Sequence, residues 1–447
     1  MSDLTPSYEP EAGQVILEGL PAGAGGEARL VPVTGLDLAF DRADGHLSRG
    51  IVDADGADGP GELVAAMLVR LFGREAAGVV RDAAVRPGES RVLSPEPGLC
   101  AALSSLARLD AAQATSPVPR SSPWWAAEAA ELAERAGLKA RARAEARRAV
   151  RDLTKARGHQ TFPAQASRTA LAVAGIAATD EPEAASQLRE SIGRAPAEPV
   201  RQWLAAKPLQ PDAAGLDVAA EVERLEKDQV LLPGLQWVLD PGLVPEGLFQ
   251  PGLSPHSDLV IRHEGGADRI VVEAVLAPGA ECAALGRCQA RLVDPAVRRV
   301  LAHASFTESG SRVKAELQLP FPLDELLQTW IEVVEGEDRP VRSAKGHRIR
   351  RALRWADAAL RAERGPAGLA PRSAGGDWAA LAAVAWEQCR RDWESAGDTD
   401  RAFLAARRLA ALDPRTRPPK APSTTAARLA SRAPLPGPTY LAELLGE

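Results

Sequence analysis

The feature that most constrains this chain is a change of hydrophobic period, made twice. Between residues 119 and 228 apolar residues recur at helical spacing, through WWAAEAAELAERAGLKARARAEARRAVRDL and ASRTALAVAGIAATDEPEAASQLRESIG. Each stretch breaks once, near Gly137 and near Thr179-Asp180-Glu181-Pro182, which predicts helical hairpins. From 229 to 343 the period is two. RVKAELQLP alternates Val313, Ala315, Leu317 and Leu319 with Lys314, Glu316 and Gln318, and VLAHASF sets Val300, Ala302, Ala304 and Phe306 opposite His303. With CQARLV, TWIEVVE, DLVIRH and RIVVEAVLA there are at least six short strands, the pattern of an antiparallel β-sandwich. Helical spacing then returns over 344–416.

The ends differ from this middle. Residues 1–118 read as a small α+β domain with two hairpins and a helix. QVILEG and ARLVPV flank a Gly-rich turn, LDLAF and HLSRGIV flank a turn closed at Asp44-Gly45, and a helix follows with Leu63, Met67, Leu68 and Leu71 as its apolar face. Residues 417–447 form a proline-rich tail that ends in TYLAELL, a candidate short docking helix. The expected fold class is therefore α+β and multidomain. A small mixed N-terminal domain precedes a helical segment (119–228), an antiparallel β-sandwich (229–343), helical hairpins (344–416) and the tail.

Composition narrows the function. A chain of 447 residues is too long for one core and implies about two to four domains. Its net charge of −6 opposes wholesale nucleic-acid binding, which asks for a basic surface. Four cysteines form no dense framework and fit a reducing compartment. The acidic start MSDLTPSYEPEAG has no apolar core of a secretory signal, and ALAVAGIAA is far shorter than the ~18 apolar residues of a spanning helix. A cytoplasmic location is expected, and the Ala, Gly, Pro and Arg bias fits a GC-rich bacterial genome.

Candidate chemistry is incomplete wherever it arises. Asp53, Asp55 and Asp58 cluster in DADGADGPGE, but the calcium-loop order is broken and its closing glutamate is missing. Cys282 and Cys288 lie too far apart for a zinc knuckle, and Ser257 in PHSD lacks a nucleophile elbow. Arg143, Arg147 and Arg151 make a basic stripe at spacing four that could track phosphates, without aromatics for base stacking. SDLVIRHEGGADRIVVEAV resembles the core of PD-(D/E)xK nucleases, which implies Asp258 and Glu273 as metal ligands. It departs from that pattern because Val275 stands at the lysine position and Ser257 replaces the proline. The alternative reading of the stretch is a plain β-hairpin, with Ile270, Val272, Ala274 and Leu276 facing the core and Glu273 turned outward.

A second resemblance lies within residues 383–416, in AWEQCRRDWESAGDTDRAFLAARRLAALDP. The stretch is similar to one tetratricopeptide repeat through Trp386, Cys389, Trp393, Ala402 and Pro414, with Gly397-Asp398 at the interhelical turn. Arg390 and Ala406 depart from that family's glycine and phenylalanine. Weaker copies fall at 124–154 and 165–196, through Ala142, Ala149, Ala172 and Ala184. The resemblance implies that the first helix lines a concave groove, which assigns binding to Glu387, Arg391, Glu394 and Ser395, with Val384 beside them. The function expected is a non-catalytic protein-interaction or scaffold subunit of a multicomponent bacterial system, with no cofactor or metal. Its partner would be another protein or its own C-terminal tail. Two alternatives stand beside it: a divergent metal-dependent hydrolase or nuclease using Asp258 and Glu273, and a nucleic-acid- or carbohydrate-binding module.

Overall fold

The computed structural model describes all residues except 1–2, 10, 55–59, 86–90, 117, 119–121, 156–163, 195–220, 224–234, 246, 264–267, 278–279, 281, 310–311, 320–328, 337, 365–377, 413–417, 432–439 and 443–447. The cluster Asp55 and Asp58, the turn HEGGAD in part, and Pro414 thus lie outside the described residues. The chain is α+β and divides into two compact units. One comprises Met1–Ala112, Ser122–Pro208 and Arg428–Ala442; the other comprises Gln113–Ser121, Leu209–Ala427 and Glu443–Glu447.

The first unit opens with an antiparallel sheet of β1 (Thr5–Glu9), β2 (Gln14–Glu18), β3 (Glu27–Val33), β4 (Leu36–Asp41) and β5 (Leu47–Asp53). Its spatial order is β1-β2-β5-β4-β3. The hairpin expected between β2 and β3 is not formed, because β2 pairs with β1 and β5 while β3 pairs with β4. A long Gly-rich link dictates no register, so side-chain burial decides it. The β2–β5 pairing sets Val15 against Val52, both fully buried. The other expected hairpin, around Asp44-Gly45, joins β4 to β5.

Helices α1 (Glu62–Phe72), α2 (Ala76–Val85) and α3 (Pro97–Thr115) follow. The apolar face of α1 is shifted by one residue from expectation: Leu63 is 74% exposed, whereas Val64, Met67, Leu68 and Leu71 are buried. That set completes the i, i+3, i+4, i+7 stripe of a one-sided helix.

Two helical hairpins follow in the same unit, α4 (Pro123–Arg135) with α5 (Lys139–Lys155) and α6 (Ala164–Ala177) with α7 (Pro182–Arg194). Pro123 opens α4 where its missing N–H costs nothing. Gly137, at φ +68°, closes it: the Leu138 N–H donates to the Ala133 carbonyl at 2.8 Å and the Gly137 N–H to Glu134 at 2.9 Å. The hairpins stack, with α4 against α6 and α5 against α7. Trp124, Trp125 and five alanines of α4 are buried, so this helix has a wide apolar face, with Glu128, Glu131 and Arg135 on its polar side.

Among its described residues, the second unit holds two four-stranded sheets. One has the order β10 (Arg299–Ser305), β9 (Cys288–Asp294), β13 (Thr329–Glu335), β6 (Leu235–Val238). The other runs β11 (Thr307–Ser309), β12 (Arg312–Gln318), β8 (Arg269–Val275), β7 (Val260–His263). Both contribute to one apolar cluster: Ile270, Val272 and Ala274 of β8 and Val313, Ala315 and Leu317 of β12 join Ala290 and Leu292 of β9 and Ile331 and Val333 of β13. Each such side chain larger than alanine stabilises the fold by roughly 1.5–3 kcal/mol on burial.

Two details differ from the expected all-antiparallel alternation. β6 pairs with β13 in parallel, so this edge is not a hairpin. A bulge between Val300 and Ala302 breaks the register of β10, and Val300 packs with Val293 and Trp330 while Ala302 and Ala304 pack into the shared core. One extra residue moves a side chain to the other face of a pleated strand, which removes Val300 from the stripe expected with Ala302 and Ala304.

Three long helices follow: α10 (Ala344–Arg364), α11 (Trp378–Ser395) and α12 (Thr399–Leu412), after the single turns α8 (Pro255–Asp258) and α9 (Cys282–Leu285). α11 packs between α10 and α12. Gly397, at φ +80°, ends α11 as Gly137 ends α4, with the Asp398 N–H donating to the Trp393 carbonyl at 3.0 Å. A short helix α13 (Thr424–Ala430) lies in the stretch that reads as tail. No described helix is long and apolar enough to cross a membrane.

Candidate functional site

The two carboxylates of the nuclease-like stretch are each held by arginine. Asp258 ends the one-turn helix α8, not a strand, because Ser254 and Ser257 form a reciprocal cap that starts a helix ahead of β7. Its buried carboxylate accepts from Arg354 Nε at 2.8 Å, Arg354 Nη2 at 2.6 Å and the Gly252 N–H at 2.8 Å. Burial alone would lower the Arg354 pKa, but Asp258 outweighs it and holds the guanidinium above its usual range. Arg361 donates to the Gly252 carbonyl at 3.1 Å and to the Thr115 carbonyl, and the Ser254 hydroxyl bonds Glu221. His256 of the same turn lies between Trp237 and Trp355, at ring distances of 5.0 and 5.2 Å. Glu273 points away from the core and pairs with Arg262 at 3.3 Å and Arg312 at 3.4 Å. Its neighbours Ile270, Val272 and Ala274 are buried and Leu276 packs against the same core. These partners make Asp258 a buried structural anchor and Glu273 a member of a surface ion-pair ladder.

A second buried charge cluster fastens a sheet to the helices. Arg291 on β9 and Glu332 on β13 are opposite residues, 2.8 Å apart, each side chain 2% exposed. His347 of α10 sits 3.0 Å from the other Glu332 oxygen, off the line of a hydrogen bond, and stacks on Trp330 at 4.8 Å. Burial raises the Glu332 pKa, but His347 and then Arg291 more than offset it, and the carboxyl lies below its usual value. Arg351 covers Trp330 at 4.9 Å and forks onto Asp392 of α11 at 2.7 and 2.5 Å.

The residues assigned to a groove by the tetratricopeptide resemblance lie along α11. Glu387 and Val384 are half-buried, whereas Arg391, Glu394 and Ser395 are exposed. Charges on this ridge satisfy one another: Arg390 bonds Glu387 at 2.7 and 2.8 Å and also Glu394, and Arg391 bonds Glu387 at 2.8 Å. Bonding to Arg390 holds the Glu387 carboxyl below its usual range. Arg390 joins the set, and the Ser395 carbonyl accepts from Arg348 at 2.9 Å. Behind the ridge Trp386 and Trp393 are fully buried; the Trp386 ring N–H donates to Glu363 at 2.6 Å.

A cleft of about 410 Å³ opens elsewhere, in the first unit. It is lined by Glu128, Glu131, Leu132 and Arg135 of α4 and by Gln165, Arg168 and Thr169 of α6, with Ser105 of α3. Thr169 donates to Glu131 at 2.9 Å, and Arg135 lies 3.6 Å from the same carboxylate. The remaining lining residue is Tyr440, whose ring packs on Trp125 at 5.6 Å. Tyr440, Leu441 and Ala442 are 5%, 0% and 0% exposed. Of the described end of the tail, Tyr440 thus lines this cleft. Sequence reading missed the site, which depends on α4 meeting α6 across an intervening helix; the paired Trp124-Trp125 was its one visible sign.

Other candidates resolve simply. Asp41, Asp44 and His46 bring ligand atoms within 4.8 Å of one another in the β4–β5 turn. Asp41 accepts from the N–H groups of Gly23, Ala43 and Asp44, while the His46 ring meets Asp44 at 2.5 Å and the Leu20 carbonyl at 3.0 Å. These contacts clamp the turn. Burial pushes the Cys288 thiol up to about 11, which disfavours a metal-binding thiolate; the Cys282 side chain lies outside the described residues. Arg143, Arg147 and Arg151 are exposed along α5, and Arg151 bonds Glu181 at 2.9 Å. Comparison with protein-family models, with curated proteins and with solved structures finds no match to this chain.

Proposed function

We propose that the chain is a non-catalytic protein-interaction subunit, a scaffold whose helical hairpins present docking surfaces. In this reading α4–α7 and α11–α12 are tetratricopeptide-like hairpins, and the paired sheets of the second unit are a β-sandwich that carries them. One observation supports it most: the first helices of two stacked hairpins, α4 and α6, line a cleft together with the aromatic ring of Tyr440. Stacked helical hairpins commonly use such faces for extended partners. Glu387, Arg391, Glu394 and Ser395 form a second, self-paired surface, suited to rim contacts that steer association more than they hold it. The hydrolase alternative draws no support from Asp258 and Glu273, since arginines already engage both.

The test is affinity capture from the native host with wild type and with a Leu132→Arg/Arg168→Glu variant of equal melting temperature. Loss of the same specific partner from the variant supports the reading. An unchanged set of partners removes the α4–α6 cleft from it.

A further inference from the structure

We infer that Tyr440-Leu441-Ala442 is a releasable ligand in cis, seated on a peptide groove that takes the same kind of segment from a partner. The inference deepens the docking reading and rests on the same cleft. Burial is the first observation: three consecutive residues near the end of the chain are at most 5% exposed, and one of them lines a cavity instead of filling it.

Sequence supplies the second. RAPLPGPT, residues 432–439, precedes Tyr440 with three prolines, a composition that cannot build a core of its own. The three described residues that follow, an aromatic ring and then leucine and alanine, are the buried ones. Chemistry of the groove is the third. The Trp125 ring meets Tyr440 at 5.6 Å with a 50° tilt, a favourable aromatic geometry. Beside it the cleft keeps open volume with Arg135, Arg168, Gln165 and Thr169 on its walls, polar groups of a kind that bond the backbone or acids of an extended peptide. A matching partner segment carries a tyrosine followed by small and branched apolar residues, with an acidic residue beyond, as Glu443 stands in this chain.

Tethering favours the cis segment. An effective concentration in the millimolar range, against a groove of roughly 10 µM intrinsic affinity, weakens apparent binding of a partner about 100-fold. Release of the segment would therefore switch the groove on.

The experiment uses the full chain and a fluorescent peptide of residues 438–445, PTYLAELL. Full-length Tyr440→Ala should bind it at least ~10-fold more tightly than wild type, and a peptide carrying alanine for tyrosine should bind neither. Hydrogen exchange of the wild type gives an independent readout that needs no variant. Amides of Leu441 and Ala442 should exchange at least ~100-fold faster than those of α4, and faster still with excess peptide, because a releasable segment opens locally. The inference is overturned if those amides exchange only with α4, or if a folded Tyr440→Ala chain fails to bind the peptide. Those results would make Tyr440 a fixed core residue, and would leave the capture experiment on the cleft itself unaffected.

Discussion

Replacing Asp258 by alanine separates a structural anchor from a metal ligand. The carboxylate accepts three hydrogen bonds, two from Arg354 and one from the Gly252 N–H, and the two charged side chains are 1% and 4% exposed. Asp258→Ala leaves a guanidinium buried without its counter-charge, which costs about 3–5 kcal/mol. At a urea m-value of about 3 kcal/mol/M, that moves the midpoint of the affected transition down by roughly 1–1.7 M. Arg354→Met should cost a similar amount by stranding the carboxylate. The double variant should cost much less than the sum, by about 3 kcal/mol or more, since neither charge then remains. What it still loses is the acceptor for the Gly252 N–H, about 1–3 kcal/mol; the Gly252 carbonyl keeps Arg361. Tryptophan fluorescence can follow the unfolding, with Trp237 and Trp355 beside the same turn. Costs that simply add, or an Asp258→Ala penalty under about 1 kcal/mol, would refute the anchoring role. A Mg²⁺-dependent rise in melting temperature that vanishes in Asp258→Ala would restore the metal reading.

Three further outcomes are expected. Trp386→Ala removes a fully buried ring and its bond to Glu363, so it should destabilise by about 3–5 kcal/mol in denaturant titration; wild-type behaviour would show that the α11–α12 packing is wrongly assigned. Glu273→Ala disrupts only pairs with Arg262 and Arg312, which are more than half exposed, and should cost less than about 1 kcal/mol; loss of a Mg²⁺-dependent activity in that variant would contradict it. Glu332 has a folded pKa held below the ordinary glutamate value of 4.5, so its contribution is present above that value and lost as pH falls through the folded pKa. Urea midpoints from pH 6 to pH 3 should therefore fall less steeply in Glu332→Gln than in wild type, and parallel curves would exclude this contribution.

Much of the secondary structure was legible because its signals are local. The period-two stripe of Val313, Ala315 and Leu317, the turns at Gly137 and Gly397, and the buried pair Trp386 and Trp393 all depend on residues a few positions apart. The same signals reached only part of the candidate site: the charges Glu387, Arg391 and Glu394 share a ridge, as helical spacing requires, but their mutual pairing with Arg390 depends on rotamers. Tertiary structure decided what distant residues do to one another. β2 chose β5 over β3 because burial outranks an undemanding Gly-rich link, and a single bulge moved Val300 to the opposite face of its strand. Asp258 found Arg354 at a sequence separation of 96, and Arg361 found the Thr115 carbonyl at 246. No periodicity encodes such pairs, because a buried charge takes the partner that packing brings near it. The cleft depends on the same physics, since it exists only where α4 meets α6 and where Tyr440, hundreds of residues later, returns to Trp125 of α4.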